Sequence, residues 1–381
     1  MILRIAIAMA LGVGAGFVLP EWAASVFSTF NGLFSGFLGF IIPLLIVGFV
    51  APAIAEVGRG AGRMLAVTAL LAYLMTFASG LLSFFTGAWI FPELIAGGSV
   101  SAATVAASGG MSPEPYFTVE MPPLFGVMTA LMLAFVMGLG MAFCGSVALR
   151  RGFGEFRDII TRTIMTVIIP LLPLYIFGIF MEMTMAGQVG PVLRTFVSII
   201  GVIFVMHVVL LVVQFCVAGA VAGKNPLKML RLMLPAYFTA LGTQSSAATI
   251  PVTLRRSEAT GVRPAVAGFV IPLCATIHMS GSTLKIVACA LALMIMQGMP
   301  WSVPMFAGFI AMLGITIVAA PGVPGGAIMA SLGLLSSMLG FSEADNGLMI
   351  ALYIAMDSFG TACNVTGDGA IALIVNRIFR E

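Results

Sequence analysis

Eight apolar stretches, each about as long as a bilayer is thick, dominate this sequence. A spanning helix needs about 20 apolar residues, because the hydrocarbon core is about 30 Å thick and a helix rises about 1.5 Å per residue. With 61% hydrophobic and 8% charged residues, the chain could not cover such stretches in water. The sequence therefore predicts an all-α polytopic membrane protein with eight transmembrane helices. They are predicted at 2–20, 32–55, 64–93, 122–148, 157–186, 192–222, 264–297 and 345–376.

The distribution of lysine and arginine predicts the orientation of these spans. Basic residues collect in the cytoplasmic loops of membrane proteins. If the N-terminus is cytoplasmic, all 17 Lys and Arg residues except Arg194 and Lys285 fall inside; Arg194 lies outside and Lys285 within the membrane. We therefore expect cytoplasmic termini and a prokaryotic inner, or plasma, membrane. The net charge of +3 is too small for a nucleic-acid-binding surface, so we expect no nucleic-acid partner.

The N-terminal stretch also has the outline of a signal peptide. Arg4 precedes an apolar run, and Ala23-Ala24 provides small residues for cleavage. Gly12 and Gly16, however, form a small-xxx-small pair of the kind found where membrane helices pack together. We predict a permanent span and keep the signal peptide as the alternative.

Two further apolar segments, 226–261 and 302–341, are predicted to be re-entrant hairpins. The first has basic residues at both ends and a polar break at Gly242–Ser246, so a full crossing would put one basic cluster outside. The second has no Lys or Arg at either end and a break at Ala319–Gly326, which predicts entry from outside. Irregular backbone at membrane depth is tolerated only inside protein or along a wet cavity. Two opposed tips therefore indicate a substrate site near the midplane; two proline-kinked spans are the alternative.

The last span carries one stripe of polar residues. Asp357, Thr361, Asn364 and Asp368 are separated by 4, 3 and 4 residues, which places them on one helix face over about three turns. A carboxylate in the membrane costs at least about 2.5 kcal/mol, so two in one stripe indicate function. Asp357 suits an ammonium group, Asn364 can donate to a carboxylate, and Asp368 suits an alkali cation. A stripe of interhelical hydrogen bonds is the alternative.

The seventh span contains a polar interruption at Thr276–Lys285, which predicts an unwound helix. Unwound backbone exposes carbonyl oxygens that bind desolvated cations. Within this segment, His278 and Lys285 are basic residues at membrane depth. A buried ammonium group requires a partner or a lowered pKa, so Lys285 in particular indicates a functional site, while His278 can equally be a packing residue.

Taken together, these segments resemble the dicarboxylate/amino acid:cation symporter family, which includes aspartate transporters and neutral amino acid exchangers. Four segments carry the resemblance, in the family's order. They are the serine-rich first hairpin (Gln244–Arg255), the counterpart of the NMDGT segment (Ile271–Ser282), the second hairpin tip (Pro321–Gly325) and the last-helix signature (Asn364–Asp368).

The resemblance implies a homotrimer with an elevator fold, in which a transport domain slides past a fixed scaffold. The scaffold would comprise 1–60 and 122–190, which carry spans 1, 2, 4 and 5. The transport domain would comprise 61–96 and 191–381, which carry spans 3 and 6, hairpin 1, span 7, hairpin 2 and span 8. The implied activity is cation-coupled symport of a small amino acid, with sodium ions or protons as coupling ions and no other cofactor.

The resemblance also implies roles for individual residues. Asp357 would bind the substrate amino group and Asn364 its α-carboxylate, while the second hairpin tip would close as the outer gate. Asp368, with the carbonyl oxygens of Cys274, His278 and Asn364, would form one sodium site. The remaining implied substrate-site positions are Thr361, Gly360, Gln244, Ser245, Ser246, Val323, Pro324 and Gly325.

Two positions at which the family has arginine lack it here. Members that take acidic substrates have an arginine one residue before the threonine of the last span, where this chain has Gly360. A first-hairpin position that is arginine in some prokaryotic members is Gln244. Without a guanidinium group, a substrate carboxylate loses about 2–5 kcal/mol of interaction. We predict a neutral amino acid substrate; an acidic amino acid or dicarboxylate, with atypical coupling, is the alternative.

The sodium ligands implied by the resemblance are also incomplete. Ser280 replaces the acidic residue of the NMDGT segment and His278 replaces its asparagine. The third span keeps Thr76 but has Phe77 where serine is common. We hypothesise that Lys285 supplies a tethered cation where a sodium ion would otherwise sit. Coupling would then use fewer sodium ions, or protons carried by His278 or Lys285.

Two other functions fit parts of the pattern. Gly367-Asp368 resembles part of the GxGD motif of intramembrane aspartyl proteases. Asp357 and Asp368, however, are 11 residues apart on one predicted helix, about 16 Å, whereas a catalytic aspartate pair must be in contact. We therefore predict that the protein is not an enzyme. A channel-like anion conductor is the other alternative, since some family members resemble leaky anion conductors.

Overall fold

The computed structural model describes residues 2–57, 63–97, 113–187, 189–318 and 325–379. Every regular element within these ranges is a helix, which confirms the all-α prediction. The first half contains α1 (Ile2–Val18), α2 (Glu21–Val57), α3 (Arg63–Gly97), α4 (Val127–Cys144), α5 (Val147–Thr163), α6 (Ile169–Met185) and α7 (Val189–Ala222), with a π-helical turn (Ile164–Ile168) between α5 and α6. The second half contains α8 (Pro226–Thr243), α9 (Ser246–Ala259), α10 (Pro264–Ile277), α11 (Ser280–Met296), α12 (Val303–Val318), α13 (Gly326–Leu339), α14 (Glu343–Ala355) and α15 (Asp357–Ile378).

Several of these helices can cross a membrane. Judged by length and composition, five segments of the described chain qualify alone, and α14 with α15 makes a sixth, bent pair. Helices α1, α4, α12 and α13 are shorter apolar helices. The five segments are Glu21–Pro52, Arg63–Ile95, Val147–Met185, Thr195–Ala222 and Pro264–Met296. The chain is therefore a multi-pass membrane protein, as its composition predicts.

The first predicted hairpin is formed by α8 and α9, which pack against each other. The turn between them falls inside the predicted polar break. Gln244 takes a left-handed conformation with a φ of 54°, which reverses the chain direction. Ser245 caps α9, because its Oγ accepts a hydrogen bond from the Ala248 N–H at 3.3 Å.

Helices α12 and α13, which also pack against each other, lie in the second predicted hairpin. The segment between them, 319–324, lies outside the described residues. The predicted gate residues Val323 and Pro324 belong to that segment, whereas Gly325 is described. Gly325 has a φ of 79° and directly precedes α13.

The seventh predicted span is interrupted as its sequence indicates. Helix α10 ends at Ile277 and α11 begins at Ser280, with His278 in an extended conformation (φ −99°, ψ 107°). A polar contact from α3 holds the start of α11, because Ser79 Oγ donates to the Ser280 carbonyl oxygen at 2.8 Å. The interruption therefore lies in the interior, where its backbone groups find partners within the protein.

The last span is two helices, whereas the sequence predicts one helix over 345–376. Helices α14 and α15 are separated at Met356 and bent by 62°. Two charges stabilise this break. Asp357 lies in the first turn of α15, where the helix dipole favours a carboxylate. Lys285 Nζ lies 3.5 Å from the carbonyl oxygens of Tyr353 and Met356 at the end of α14, where the dipole favours a cation.

The helices pack in two groups. Helix α1 packs on α6, and α2 packs on α4 and α6. In the second group, α3 packs on α11, and α15 packs on α7, α8, α10 and α11. Helices α13 and α14 contact α1, α2 and α6 of the first group. The second group thus brings the first hairpin, the interrupted helix and the polar stripe around one interior.

Candidate functional site

A polar cavity lies among the tip of the first hairpin, the break between α10 and α11, and the start of α15. Its volume is about 80 Å³. Ser282 and Tyr353 add hydroxyl groups to its wall. Of the described residues along this wall, one is acidic and none is basic. The predicted substrate-site residues that line it are Gln244, Ser245, Ser246, Asp357, Thr361 and Asn364.

Asp357 has a partner for each carboxylate oxygen. Its Oδ1 accepts a hydrogen bond from Lys285 Nζ at 2.9 Å, and its Oδ2 accepts one from the Gly325 N–H at 2.9 Å. The side chain is buried, with an exposed fraction of 5%. Asp357 therefore connects the cavity to α11 on one side and to the second hairpin on the other.

The partners of Lys285 lie at the junction of α14 and α15. Its ammonium group pairs with Asp357 and sits 3.4 Å from the centroid of the Tyr353 ring. Ser280, which stands in place of the acidic residue of the NMDGT segment, has Gln214 as its partner, with Nε2 donating to Ser280 Oγ at 3.1 Å. Lys285 follows Ser280 by five residues, about 140° around the helix, so the two side chains point in different directions. The tethered cation thus lies beside the predicted amine ligand.

Gly360 gives Lys285 the space to reach Asp357. A Cβ atom at position 360 would lie 2.8 Å from Lys285 Cε and 2.9 Å from its Nζ. Gly360 is buried and is not among the residues that line the cavity. An ammonium group from α11 therefore occupies the space next to the position that carries arginine in acidic-substrate members of the resembled family.

Asn364 binds the start of α11. Its Oδ1 accepts hydrogen bonds from the N–H groups of Gly281 at 2.7 Å and Ser282 at 3.4 Å. Its Nδ2 donates to Ser282 Oγ at 3.1 Å. Gly281 is required for this approach, since a Cβ there would lie 2.6 Å from the Gly360 carbonyl oxygen. Asn364 therefore positions the interrupted helix as well as lining the cavity.

The predicted cation ligands gather near the break in the seventh span. Asp368 Oδ1 lies 2.9 Å from His278 Nδ1, and both side chains are buried. The His278 N–H donates to the Cys274 carbonyl oxygen at 2.9 Å, and Thr76 Oγ1 accepts from the Met279 N–H at 3.3 Å. Among the described residues, no group of three or more His, Cys, Asp and Glu could hold a metal ion. An alkali cation would therefore depend on hydroxyl, amide and carbonyl oxygens beside one carboxylate.

Two buried polar residues of α7 escaped the sequence analysis. His207 Nε2 lies 3.0 Å from the Gly281 carbonyl oxygen, and Gln214 donates to Ser280. A Cβ at Gly367 would lie 2.6 Å from Gln214 Oε1, which places that oxygen beside α15. His207 and Gln214 are seven residues apart in the stretch 199–222, which is otherwise apolar, and hence they share one helix face. Their spacing could have indicated a polar interface between α7 and α11.

A family model described as the sodium:dicarboxylate symporter family matches residues 1–378. The match covers both hairpins, the interrupted helix and the polar stripe, and it extends through the N-terminal helices. It therefore confirms the resemblance inferred from four motifs in the second half of the chain.

Individual relatives are similar along nearly their whole length. The serine/threonine transporter SstT of Streptococcus thermophilus strain CNRZ 1066 is 29% identical over 97% of this chain and 93% of its own length. The SstT proteins of strains ATCC BAA-491 / LMD-9 and ATCC BAA-250 / LMG 18311 match with the same identity and coverage.

The family and these relatives are transporters, which confirms that the chain is not an enzyme and excludes the intramembrane protease. Membership also implies a small-molecule substrate, a coupling ion and a membrane location, in agreement with the polar cavity among apolar helices. Because the match spans 1–378 and not one motif alone, the chain belongs to the sodium:dicarboxylate symporter family.

Proposed function

We propose that this protein carries a small neutral amino acid, such as serine or threonine, across the membrane together with a coupling cation. The charge of the cavity wall is the main support for this proposal, because Asp357 is the one acidic residue among the described lining residues and none of them is basic. A neutral amino acid brings one ammonium group and one carboxylate, which suits a single acidic group among hydrogen-bond donors. The relatives named serine/threonine transporters support the same substrate class.

In the proposed binding mode, the substrate ammonium group bonds to Asp357 and the α-carboxylate lies at the tip of the first hairpin. Helix α9 begins there at Ser246, and a helix N-terminus favours an anion through its free N–H groups and dipole. Ser245 and Asn364 add polar groups. Thr361 lies on the same wall and suits a small side chain with a hydroxyl group.

An acidic substrate is the second candidate, and one observation favours it. The Lys285 ammonium group lies beside the space at Gly360, so a cation is present near the position of the missing arginine. Lys285 is fully buried, however, and does not line the cavity, whereas Asp357 and Tyr353 do line it. A substrate carboxylate would first have to break the pair between Lys285 and Asp357, so we favour the neutral substrate.

For coupling, we propose one sodium site made of the Asp368 carboxylate and the carbonyl oxygens of Cys274, His278 and Asn364. The second site, around Thr76 and Ser280, lacks a carboxylate, so we expect fewer coupling ions than a full ligand set would bind. A proton shared between Asp368 and His278, which are 2.9 Å apart, is the alternative to sodium.

Imposed gradients distinguish these coupling ions. Purified protein in proteoliposomes is given a sodium gradient, a pH gradient or both, and the initial rate of labelled amino acid uptake is measured. We expect uptake driven by the sodium gradient with low cooperativity. A steep, highly cooperative sodium dependence would contradict the reduced set of ion sites.

We further propose an elevator mechanism in a homotrimer, with 1–60 and 122–190 as the scaffold and 61–96 and 191–381 as the transport domain. The packing supports this division, because α1, α2, α4 and α6 form one group, and the interrupted helix and α15 belong to the other. The second proposed hairpin is re-entrant, with Gly325 next to the gate. Eight spans with both termini in the cytoplasm complete this proposal.

Uptake of labelled serine tests the proposed function. Proteoliposomes containing the purified protein are compared with vesicles containing Asp357→Asn, which removes the proposed amine ligand. We expect gradient-driven, saturable serine uptake by the unaltered protein, and loss of nearly all uptake in the variant. Saturable uptake that survives in Asp357→Asn would rule out the proposed binding mode. Currents without stoichiometric uptake would favour the anion conductor.

A further inference from the structure

Three different groups compete for the carboxylate of Asp357. Its Oδ1 holds the Lys285 ammonium group and its Oδ2 holds the Gly325 N–H of the second hairpin, each at 2.9 Å. The third group is the substrate ammonium group, which is proposed to approach Asp357 from the cavity. A substrate amine that binds Asp357 must therefore share or replace a partner that belongs to the protein.

The surroundings of Lys285 hold its ammonium group beside Asp357. Its side chain has an exposed fraction of 0%, so its charge has no access to water. Tyr353 presents its ring 3.4 Å from Nζ, and a cation is attracted to the face of an aromatic ring. Gly360 leaves room for Cε and Nζ, which any larger residue would take. The ammonium group therefore neutralises Asp357 from behind the cavity wall when the cavity holds no substrate.

This charge balance matters most when the carrier returns without substrate. Moving an unpaired carboxylate through the membrane is costly, and the substrate ammonium group is no longer present to neutralise Asp357. Lys285 supplies an equivalent charge from within the protein. Asp357 can then keep its hydrogen bond from the N–H of Gly325, which directly precedes α13 of the second hairpin.

We propose that Lys285 is a counter-ion, supplied by the protein itself, that neutralises Asp357 after substrate release. The hydrogen bond from Gly325 to Asp357 then keeps the second hairpin closed. The empty transport domain can therefore return across the membrane without a counter-transported cation. This inference rests on the proposed function, because it requires a substrate with an amino group. The substrate class alone does not define how the empty carrier returns. A carrier whose empty form cannot return across the membrane only exchanges one substrate molecule for another.

Net uptake and exchange separate this role from a structural one. Labelled serine uptake is measured into empty vesicles under a sodium gradient, and into vesicles preloaded with unlabelled serine. In Lys285→Met we expect net uptake to fall by about tenfold or more relative to exchange, because a charge is left unpaired in the membrane when the carrier is empty. Equal losses of net uptake and exchange, or no loss of either, would overturn the proposal.

Thr283→Val is the matched control for this comparison. Thr283 lies on α11 two residues before Lys285, is buried, and does not line the cavity. The substitution keeps the size of the side chain and changes no charge. We expect the ratio of net uptake to exchange to stay unchanged, and a changed ratio in this variant would attribute the effect to packing of α11 and overturn the proposal.

A second readout does not depend on the identity of the substrate. Ala327 on α13 lines the cavity and has an exposed fraction of 6%. In a protein without its native cysteines, Ala327→Cys reports opening of the second hairpin through its rate of alkylation. Without any amino acid present, we expect faster alkylation in Lys285→Met than in the Thr283→Val control. Equal rates would overturn the proposal, whereas absent serine exchange in the unaltered protein would overturn the proposed function instead.

Discussion

At the level of single residues, Lys285 and Gly360 act as a pair. The resembled family places an arginine on the last span when its substrates are acidic, and this chain has glycine at that position. The glycine admits a lysine from α11, whose Nζ lies 2.9 Å from Asp357. A positive charge therefore remains near the substrate site, but it faces the amine ligand and not the cavity. A site that had only lost its arginine would leave Asp357 without a positive partner, whereas here Lys285 supplies one.

The ion pair between Asp357 and Lys285 is expected to show strong coupling in stability. Removing one partner of a buried pair costs about 3–5 kcal/mol, whereas replacing both with uncharged residues is nearly neutral. We predict that Asp357→Asn and Lys285→Met each lower the thermal stability measured in detergent without amino acid, and that the double variant recovers most of the loss. Losses that add in the double variant would contradict a direct interaction.

Substrate charge selectivity is expected to follow the space at Gly360. A side chain at this position would collide with Lys285, since a Cβ alone lies 2.8 Å from Cε. We predict that Gly360→Arg alone abolishes uptake, whereas Gly360→Arg with Lys285→Ala gains measurable aspartate uptake and loses serine uptake. The check is uptake of both labelled amino acids by the two variants, with Lys285→Ala alone as the control. Aspartate uptake by Gly360→Arg alone would show that the two side chains do not compete.

Local sequence patterns predict the residues of the site better than their partners. Asp357, Thr361 and Asn364 line the cavity as the helical spacing predicts, because that spacing depends only on α15. The partner of Lys285 could not be derived in this way, because residues 285 and 357 meet only through the packing of α11 on α15. Gln214 was missed for another reason: its spacing from other polar residues was visible, but it belongs to a span that otherwise resembles lipid-facing helix.

At the level of helices, breaks marked by glycine or several polar residues are predicted well. The first hairpin turns at Gln244 and the seventh span is interrupted at His278, both inside the expected segments. The break between α14 and α15 was not predicted, since Met356 is flanked by neither proline nor glycine. Its cause is tertiary: Lys285 caps the end of α14 and pairs with the first residue of α15.

The close approach of α11 and α15 depends on a glycine. A Cβ at Gly281 would lie 2.6 Å from the Gly360 carbonyl oxygen and 2.7 Å from Cys363 Cβ. We predict that Gly281→Ala separates the two helices, lowers stability by about 1–3 kcal/mol and abolishes uptake, because Asn364 loses its bond to the Gly281 N–H. Thermal unfolding and serine uptake measure the two effects.

Gly268 on α10 provides the matched control for this change. It is exposed, and a Cβ there meets nothing within 4 Å. Gly268→Ala should leave uptake intact and raise stability slightly, by about 0.5–1 kcal/mol, because alanine restricts the unfolded chain. If both glycine variants had the same effect on stability and uptake, the close contact at Gly281 would not explain the loss of either.

At the level of the whole molecule, the two packing groups meet along α6 and α14. A Cβ at Gly347 on α14 would overlap Cδ1 of Ile179 on α6, so cysteines at both positions are close enough to be joined. We predict that a crosslink between Ile179→Cys and Gly347→Cys stops net uptake, and that a reductant restores it. The proposed elevator motion requires one group to slide past the other, and the crosslink would prevent this.

A crosslink within one proposed domain is the control for this prediction. Asn346 Nδ2 donates to Ser336 Oγ at 2.7 Å, and both residues belong to the proposed transport domain. Joining Ser336→Cys to Asn346→Cys should leave uptake largely intact. Full uptake with the Ile179 to Gly347 crosslink in place would contradict an elevator motion between these groups.

Competition for labelled serine uptake in proteoliposomes under a sodium gradient measures whether the site prefers small neutral amino acids. The competitors are a panel of unlabelled amino acids that differ in size and charge. Because the described cavity wall has one acidic and no basic side chain, we predict strong inhibition by serine, threonine and other small neutral amino acids, and weak inhibition by aspartate and glutamate. Strong inhibition by aspartate alone would show that the site does not take small neutral amino acids.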